Sequence, residues 1–150
     1  MEKYIINNNT IALLKINHKT IIINVDNLMV FNKCIISILE ENCIYYGSTL
    51  KGRISSAKKI LNEDYKIPIL IDDINNLLLI QINSPRNKIC LFLVSNKIVN
   101  YVEKDNFLEI KCLNNIIFKV KITKNSFEKM LLKSFQINNV LFWRKNAKFL

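Results

Sequence analysis

The stretch C-I-Y-Y-G-S-T-L-K-G-R, residues 43–53, decides the central part of the fold. It contains both glycines of the chain and one of its three arginines, Arg53. Gly47 can adopt the left-handed conformation that ends a helix, and Ser48 is suited to cap the next one. The stretch therefore predicts two helices joined by a tight turn, with Arg53 on the second helix.

Apolar residues recur at helical spacing on both sides of this turn. The stripe before it predicts a helix over about 33–46 that Asn32 caps, with Asn42 on its polar side. The stripe after it predicts a helix over about 49–62 whose opposite face is basic. The two stripes consist of Ile35, Ile38, Leu39 and Tyr46, and of Leu50, Ile54, Ala57, Ile60 and Leu61.

Runs rich in β-branched and other apolar residues predict mostly antiparallel strands around the helix pair. The expected strands cover about 4–7, 10–16, 19–25 and 28–31 before it, and 66–71, 77–82, 89–94, 98–103, 107–113 and 116–123 after it. Pro68 cannot donate a ladder hydrogen bond, so its strand is expected to lie at an edge or to begin late. Asn114 and Asn115 suit a two-residue turn with positive φ angles.

A last helix is predicted over about 126–136, because Asn125 can cap it and Glu128 completes a capping box. Residues 139–150 are expected to form a short carboxyl-terminal appendage. The order of strands, two helices, strands and one helix predicts an α+β fold rather than repeated βαβ units. All 150 residues are expected to form a single domain.

The composition is typical of a folded protein. Hydrophobic residues make up 50% of the chain, with only two glycines and two prolines, which argues against disorder. The sequence contains no run of about 18 apolar residues, so no membrane span is predicted. The amino terminus lacks the order of a signal peptide, so a cytoplasmic location is expected.

The net charge of +10 predicts a polyanionic partner, of which nucleic acid is the commonest. Genome composition is an alternative explanation, because the Asn, Ile and Lys that crowd the chain have codons rich in A and T. Lysine that is enriched for this reason would not indicate a polyanionic partner. The three arginines, Arg53, Arg86 and Arg144, are less affected by this argument.

No pattern in the sequence predicts catalysis, a cofactor or a metal ion. The four cysteines, at positions 34, 43, 90 and 112, lack C-x-x-C spacing and are expected to be free and mostly buried. His18 lies in a polar turn without an evident nucleophilic partner. Asp72 and Asp73 fall in a hairpin loop, and no glycine-rich phosphate loop is present. The protein is therefore not expected to be an enzyme.

Five short sequence words, in the same order and spacing, resemble the ComK family, bacterial transcription factors of genetic competence. The word C-x-Y-Y-G-S-x-x-x-G-R at 43–53 is one of them. The others are the opening strand pair at 4–13, K-x-P-I-x-I-D at 66–72, the Ser-Pro loop at 84–86 before Cys90, and N-S-F at 125–127. The resemblance covers about residues 4–135. Its motif residues, expected to serve the structure, are Cys43, Tyr45, Tyr46, Gly47, Ser48, Gly52 and Pro68.

Three features depart from the family pattern. Phe92 stands in place of a tryptophan, and Ile54 stands where a basic residue follows G-R. The longer carboxyl-terminal tail of the family is mostly missing. The second departure removes one cation from the expected DNA contacts, and the third bears on adaptor-mediated proteolysis and on self-association.

The resemblance implies a DNA-binding transcriptional activator that reads A/T-rich duplexes through the minor groove and acts as an oligomer. RNA polymerase and further copies of the chain are the other partners it implies. The narrow, electronegative A/T minor groove favours an inserted arginine. The candidate DNA contacts are Lys51, Arg53, Lys58 and Lys59 on the second helix and Arg86 and Lys88 on a loop.

Some assignments have alternatives. Arg53 could bond backbone carbonyls beside the turn instead of DNA. Tyr45 and Tyr46 are expected in the core rather than stacked on bases, since they lie at a helix end.

The function has alternatives as well. The chain could be a protein-interaction module whose aromatic tail, Phe142 and Trp143, forms the contact. It could also bind single-stranded nucleic acid or RNA through aromatic residues on a sheet face. A positive face that unites residues 51–59 and 86–88 would favour duplex DNA. Aromatic side chains exposed along a sheet would favour single strands, and evenly scattered charge would favour the interaction module.

Overall fold

Two antiparallel sheets and three α-helices make up most of the chain that the structure describes. The computed structural model describes residues 3–146, and within them the predicted α+β class is confirmed. The strands are β1 (Thr10–Ile16), β2 (Lys19–Asn24), β3 (Leu28–Phe31), β4 (Ile69–Asp72), β5 (Leu77–Gln81), β6 (Ile89–Val94), β7 (Ile98–Glu103), β8 (Leu108–Cys112) and β9 (Ile117–Val120). The helices are α1 (Ile35–Tyr45), α2 (Leu50–Leu61) and α3 (Lys124–Asn146).

The larger sheet has six strands in the order β3-β2-β1-β6-β5-β4, and the smaller sheet has the order β7-β8-β9. Strand β6 pairs with both β1 and β5, so it joins the two halves of the larger sheet. Its sequence I-C-L-F-L-V is apolar throughout because both of its faces are covered. Pro68 directly precedes β4, the edge strand, as predicted for a residue that cannot donate to a ladder.

Both faces of the larger sheet are covered by other elements. Helix α1 covers one face, where Ile35 and Leu39 are buried against side chains that include Phe92. The smaller sheet and the start of α3 cover the opposite face, with Ile110 and Phe127 fully buried there. The core is therefore divided by the sheet into two apolar layers.

Helix α2 packs beside the β4 edge of the larger sheet and against α3. Ala57 is buried with Leu70 of β4, Leu78 of β5 and Ile137 of α3. The face of α2 opposite Ala57 is exposed and carries its lysines. The packing thus leaves a cationic helix face at one edge of the sheet.

The junction of α1 and α2, residues 42–53, is called the corner below. Gly47 has a φ of +89°, the left-handed conformation that was predicted for it. Its N–H donates to the Ile44 carbonyl (3.0 Å), and the N–H of Ser48 donates to the Cys43 carbonyl (2.8 Å). This pair of bonds is the Schellman motif that ends many helices.

The cap of α2 differs from the prediction by one residue. Thr49, not Ser48, has the extended backbone of a cap, and its hydroxyl accepts from the Gly52 N–H at 2.9 Å. Ser48 does not cap α2, because its N–H is part of the motif that ends α1. A Cβ atom at position 52 would lie 2.9 Å from Thr49 Oγ1, so any other residue there would require the capping hydroxyl to shift.

The amino-terminal segment is not a strand, and the prediction for residues 4–7 was wrong. The segment lies against α1, where the fully buried side chain of Asn42 bonds its backbone. The Asn42 amide donates to the Tyr4 carbonyl at 2.9 Å, and its Oδ1 accepts from the Ile6 N–H at 2.7 Å. Asn42 was expected on a polar face, because helical periodicity alone does not reveal a buried polar partner.

Helices α1 and α3 begin at residues other than those predicted. Helix α1 follows Cys34, not Asn32, and has no side-chain capping bond. At the start of α3, Thr123 Oγ1 accepts from the Ser126 N–H at 3.1 Å, the role predicted for Asn125. The polar run before α3 contains several residues able to cap, and the sequence did not distinguish among them. Before α1, Asn32 is able to cap, but the helix begins without using it.

Helix α3 is longer than predicted. It continues through Asn146, past the expected end at about 136, because its apolar side chains keep packing against α2. Residues 139–146, expected as part of an appendage, are therefore helical, and residues 147–150 lie outside the described residues. Glu128 accepts a hydrogen bond from the Tyr101 hydroxyl (2.7 Å) instead of completing a capping box. No helix within residues 3–146 has the length and apolar content to cross a membrane.

Asparagine supplies most of the left-handed backbone positions in this glycine-poor chain. Within residues 3–146, six non-glycine residues have positive φ, and five of them are asparagines. Asn114 and Asn115, with φ of 61° and 59°, form the predicted turn between β8 and β9. The sixth residue is Lys66, with φ of 47°, a conformation uncommon for residues other than glycine, asparagine and aspartate.

Candidate nucleic-acid interface

An open groove of about 690 Å³ lies between α2 and the loop that joins β5 to β6. Ile54 and Lys58 of α2 line it on the helix side, and Ser84 and Arg86 line it on the loop side. The turn at 64–67 contributes to the lining as well. The fold thus brings together one cation from each of the two basic clusters that the sequence predicted.

Arg86 lies on a loop that is anchored by several hydrogen bonds. Its N–H donates to Ser84 Oγ (3.2 Å), and the Asn87 N–H donates to the Ser84 carbonyl (3.0 Å). The Lys15 ammonium donates to the Pro85 carbonyl, which ties the loop to β1. The Arg86 side chain is exposed and forms no ion pair within residues 3–146. A guanidinium in this position is available to a phosphate or a groove edge.

Lys58 forms only a weak ion pair. Its ammonium lies 4.0 Å from Asp64 Oδ1, and the Asp64 side chain is 91% exposed. Pairs this long and this exposed contribute little to stability. Lys58 can therefore exchange Asp64 for a phosphate at small cost.

The other predicted lysines do not line the groove. Lys51 and Lys59 are exposed on α2, and Lys88 is exposed at the end of the β5–β6 loop. The Lys88 carbonyl accepts from the Asn17 N–H at 2.7 Å, so its backbone is held by the β1–β2 turn. These three side chains are exposed but do not form the walls of the groove.

Arg53 makes a long backbone contact of the kind that was the alternative to DNA contact. The side chain is half-buried, and its Nη2 donates to the Ile71 carbonyl of β4 at 3.5 Å. Its Nε is buried and has no hydrogen-bond partner within residues 3–146. Burial raises the pKa of the neighbouring Cys43 thiol, and the positive charge of Arg53 lowers it in part. The guanidinium therefore lies beside the corner, and Arg53 does not line the groove.

The two adjacent tyrosines of the corner have different environments. Tyr46 is half-buried, and its hydroxyl donates to the Ile6 carbonyl, as expected of a core residue. Burial raises its pKa, with a smaller contribution from Asp72. Tyr45 is 63% exposed, so the expectation of a core position was wrong for it. One helical step rotates Tyr45 away from the sheet that Tyr46 contacts.

Sequence reasoning missed two residues at the groove, Tyr65 and Lys66. Tyr65 is 70% exposed in the turn after α2. In the sequence, Lys66 is distinguished only as the first residue of the K-x-P-I-x-I-D word. The signal that could have identified them is an aromatic residue beside a lysine in a short polar turn, next to a helix with a basic face.

The thiols offer no reactive nucleophile at this site. Cys34 is exposed, whereas Cys43, Cys90 and Cys112 are buried. Burial raises the pKa of Cys90 to about 11, although Lys15 lowers it in part, and burial raises the pKa of Cys112 to about 12. Thiols with such pKa values are neutral and unreactive at neutral pH. No group of three or more potential metal ligands occurs in the described part of the chain.

The fold and the groove define an α+β protein with an open, cation-lined surface suited to a polyanion. The family model of the ComK protein matches residues 1–145, and the chain belongs to the ComK family. This is a family of competence transcription factors and not of enzymes. Comparisons with curated proteins and with solved structures give no match.

Proposed function

We propose that the protein is a transcriptional activator of competence genes that binds duplex DNA along the groove between α2 and the β5–β6 loop. The observation that carries this proposal is the meeting of Lys58 and Arg86, from separate parts of the chain, at one open groove. Membership in the ComK family supports the role in transcription. The net charge of +10 supports a polyanionic partner.

In this proposal Arg86 enters the minor groove of an A/T-rich duplex and Lys58 binds a phosphate. The A/T minor groove is narrow and strongly negative, and arginine is the side chain most favoured within it. Its pattern of donors and acceptors is degenerate, so groove width carries the preference for A/T pairs. Arg86 takes the role that the sequence assigned to Arg53, because the Arg53 guanidinium is bonded inside the corner.

The test is a binding titration with A/T-rich and G/C-rich duplexes at two salt concentrations. The wild type is expected to prefer the A/T-rich duplex. Arg86→Ala should weaken that binding by about 1–3 kcal/mol and reduce the preference. Arg144→Ala is the matched control, because Arg144 is an exposed arginine near the end of α3 and does not line the groove. Equal losses in the two variants would contradict the assignment of Arg86.

Lys58 tests the phosphate contact separately. Lys58→Ala should weaken binding to both duplexes by similar factors, because a phosphate contact carries no sequence information. The slope of log affinity against log salt should fall in magnitude by about 1. An unchanged slope would remove Lys58 from the interface.

The geometry does not favour the single-strand alternative. That alternative requires aromatic side chains exposed along a sheet. In residues 3–146 the exposed aromatic side chains lie on helices or in a turn, not on a strand. They are Tyr45, Tyr65, Phe135, Phe142 and Trp143.

Three of these residues support a protein contact as a second function of the chain. Phe135, Phe142 and Trp143 are exposed on α3, and exposed aromatic clusters are typical of protein interfaces. An activator also has to engage RNA polymerase, and the resemblance implies further copies of the chain. Sedimentation velocity of the wild type and of Trp143→Ala tests self-association: a mass that depends on concentration only in the wild type supports it.

A further inference from the structure

A second cavity, of about 440 Å³, shares Tyr65 and Lys66 with the groove. It lies between the turn after α2 and the first half of α3, and it is also lined by Lys129 and Lys133. Because two residues line both cavities, the groove and the cavity are adjacent. We call the surface that they form together the basic path: it runs from Lys58 and Arg86, past Tyr65, to Lys129.

Tyr65 lines both cavities, and two ammonium groups lie near its ring. The Nζ atoms of Lys66 and Lys133 lie 5.6 Å and 5.8 Å from the ring centroid. Lys133 is fixed in place, since it donates to the Tyr65 carbonyl (2.6 Å) and pairs with Glu63 (3.4 Å). The ring is nevertheless 70% exposed. An exposed aromatic face beside cations is well suited to pack against a deoxyribose whose neighbouring phosphates the cations bind.

The charges along the basic path are not balanced. Its two carboxylates are already paired, Glu63 with Lys133 and Asp64 with Lys58. Lys66, Arg86 and Lys129 form no ion pair within residues 3–146. Three unpaired cations on both sides of Tyr65 leave the path positive along its length.

The backbone of Lys66 adds a separate argument. Its positive φ is strained for a lysine, and the chain uses asparagine at its other five left-handed non-glycine positions within residues 3–146. Asparagine would suit this turn at lower cost, so the fold alone does not require lysine there. Strained residues of this kind concentrate at functional sites.

We infer that a duplex lies along the whole basic path and that its sugar–phosphate backbone contacts the protein a second time, at Lys66 and Lys129. Tyr65 packs against the duplex between the two contacts. This inference rests on the proposed function, which concerns only the groove at Lys58 and Arg86. It extends the contact surface across the turn after α2 to α3.

The first test compares two exposed lysines. Lys129→Ala is expected to lower the slope of log affinity against log salt by about 0.9, the value for one lost phosphate contact on duplex DNA. Lys104→Ala is the matched control, because Lys104 is exposed in the β7–β8 turn and lines neither cavity. Both variants remove one positive charge. Equal slopes in the two variants would overturn the inference.

The second test uses the strained turn. Lys66→Asn should raise the melting temperature, since asparagine tolerates the positive φ, and should at the same time weaken DNA binding. Tyr65→Ala should weaken binding by about fivefold, because the apolar packing of the ring is lost, whereas Tyr65→Phe, which keeps the ring, should bind like the wild type. Full binding by both Lys66→Asn and Tyr65→Ala would show that the turn does not meet DNA.

The outcomes separate this inference from the proposed function. If Lys58→Ala and Arg86→Ala lose affinity but Lys129→Ala and Tyr65→Ala do not, the groove binds DNA and the extension is wrong. If the wild type does not bind duplex DNA at all, both are wrong. If Lys129→Ala binds an acidic peptide more weakly than the wild type does, but binds the duplex equally well, the cavity at α3 is a protein site. The extension is then wrong as well.

Discussion

The corner and the groove share helix α2 but use its two faces for different purposes. In the corner, Gly47, Thr49 and Arg53 make bonds that hold α1, α2 and β4 together. In the groove, Lys58 and Arg86 face solvent and contribute little to the folded structure. The most distinctive word of the sequence therefore specifies backbone geometry. The candidate binding surface is built from common residues that meet only because the chain folds.

The largest expected effect is at the buried amide of the corner. Asn42→Ala leaves the Ile6 N–H and the Tyr4 carbonyl buried without their partner, and it should cost about 3 kcal/mol of unfolding free energy. Chemical denaturation measures this loss, and the folded fraction should bind DNA like the wild type. Asn106→Ala, at an exposed position, is the control. A loss below about 0.5 kcal/mol, the range of neutral surface changes, would contradict the role given to Asn42.

Substitution of Gly47 should lower the free energy of unfolding by less than Asn42→Ala does. Gly47→Ala places a side chain at φ +89°, and it should cost about 1–2 kcal/mol of stability. No atom lies within 4 Å of the added Cβ, so the cost is conformational and not a clash. Gly47→Asn should recover part of it, since asparagine tolerates positive φ. If both variants were as stable as the wild type, the junction would not depend on a left-handed residue.

Arg53 compares the two regions directly. Arg53→Met removes the bond to the Ile71 carbonyl and should lower stability by about 1 kcal/mol, while DNA affinity stays within twofold of the wild type. Arg86→Ala should give the reverse, with lower affinity and unchanged stability. Parallel melting curves and titrations on the two variants make the comparison. A binding loss in folded Arg53→Met that matches the loss in Arg86→Ala would place the corner in the interface.

Much of the fold follows from the sequence, because local rules govern it. The helix pair, the left-handed Gly47, the edge position of β4 and the Asn114–Asn115 turn all result from backbone preferences of a few neighbouring residues. The segment at 4–7 was misjudged for the opposite reason. Its hydrogen bonds go to Asn42, which is distant in the sequence and carries no local signal.

The candidate site was less predictable than the fold. Lys58 and Arg86 were selected separately, but nothing in the sequence indicated that they share a groove. Tyr65 and Lys66 were missed because their exposure depends on how the turn after α2 meets α3. The sequence left Arg53 between DNA contact and a structural bond, because a distinctive word serves an interface and a tight turn equally well. Proximity and exposure are properties of the tertiary structure, so they become visible only with it.

The smallest expected effect separates the groove from the rest of the α2 surface. Lys59→Ala removes the same charge as Lys58→Ala, but Lys59 is exposed outside the groove. It should therefore lower affinity by less than Lys58→Ala does and leave the salt slope almost unchanged. Lys51→Ala should behave in the same way.

Titrations of the three lysine variants at two salt concentrations give the slopes. If all three variants change the slope by about 1, the whole outer face of α2 lies on the phosphate backbone. The difference would then lie between the inward face of α2, which stabilises the fold, and its outward face, which binds DNA. If only Lys58→Ala changes it, the duplex is held at the groove, where the fold brings α2 and the Arg86 loop together.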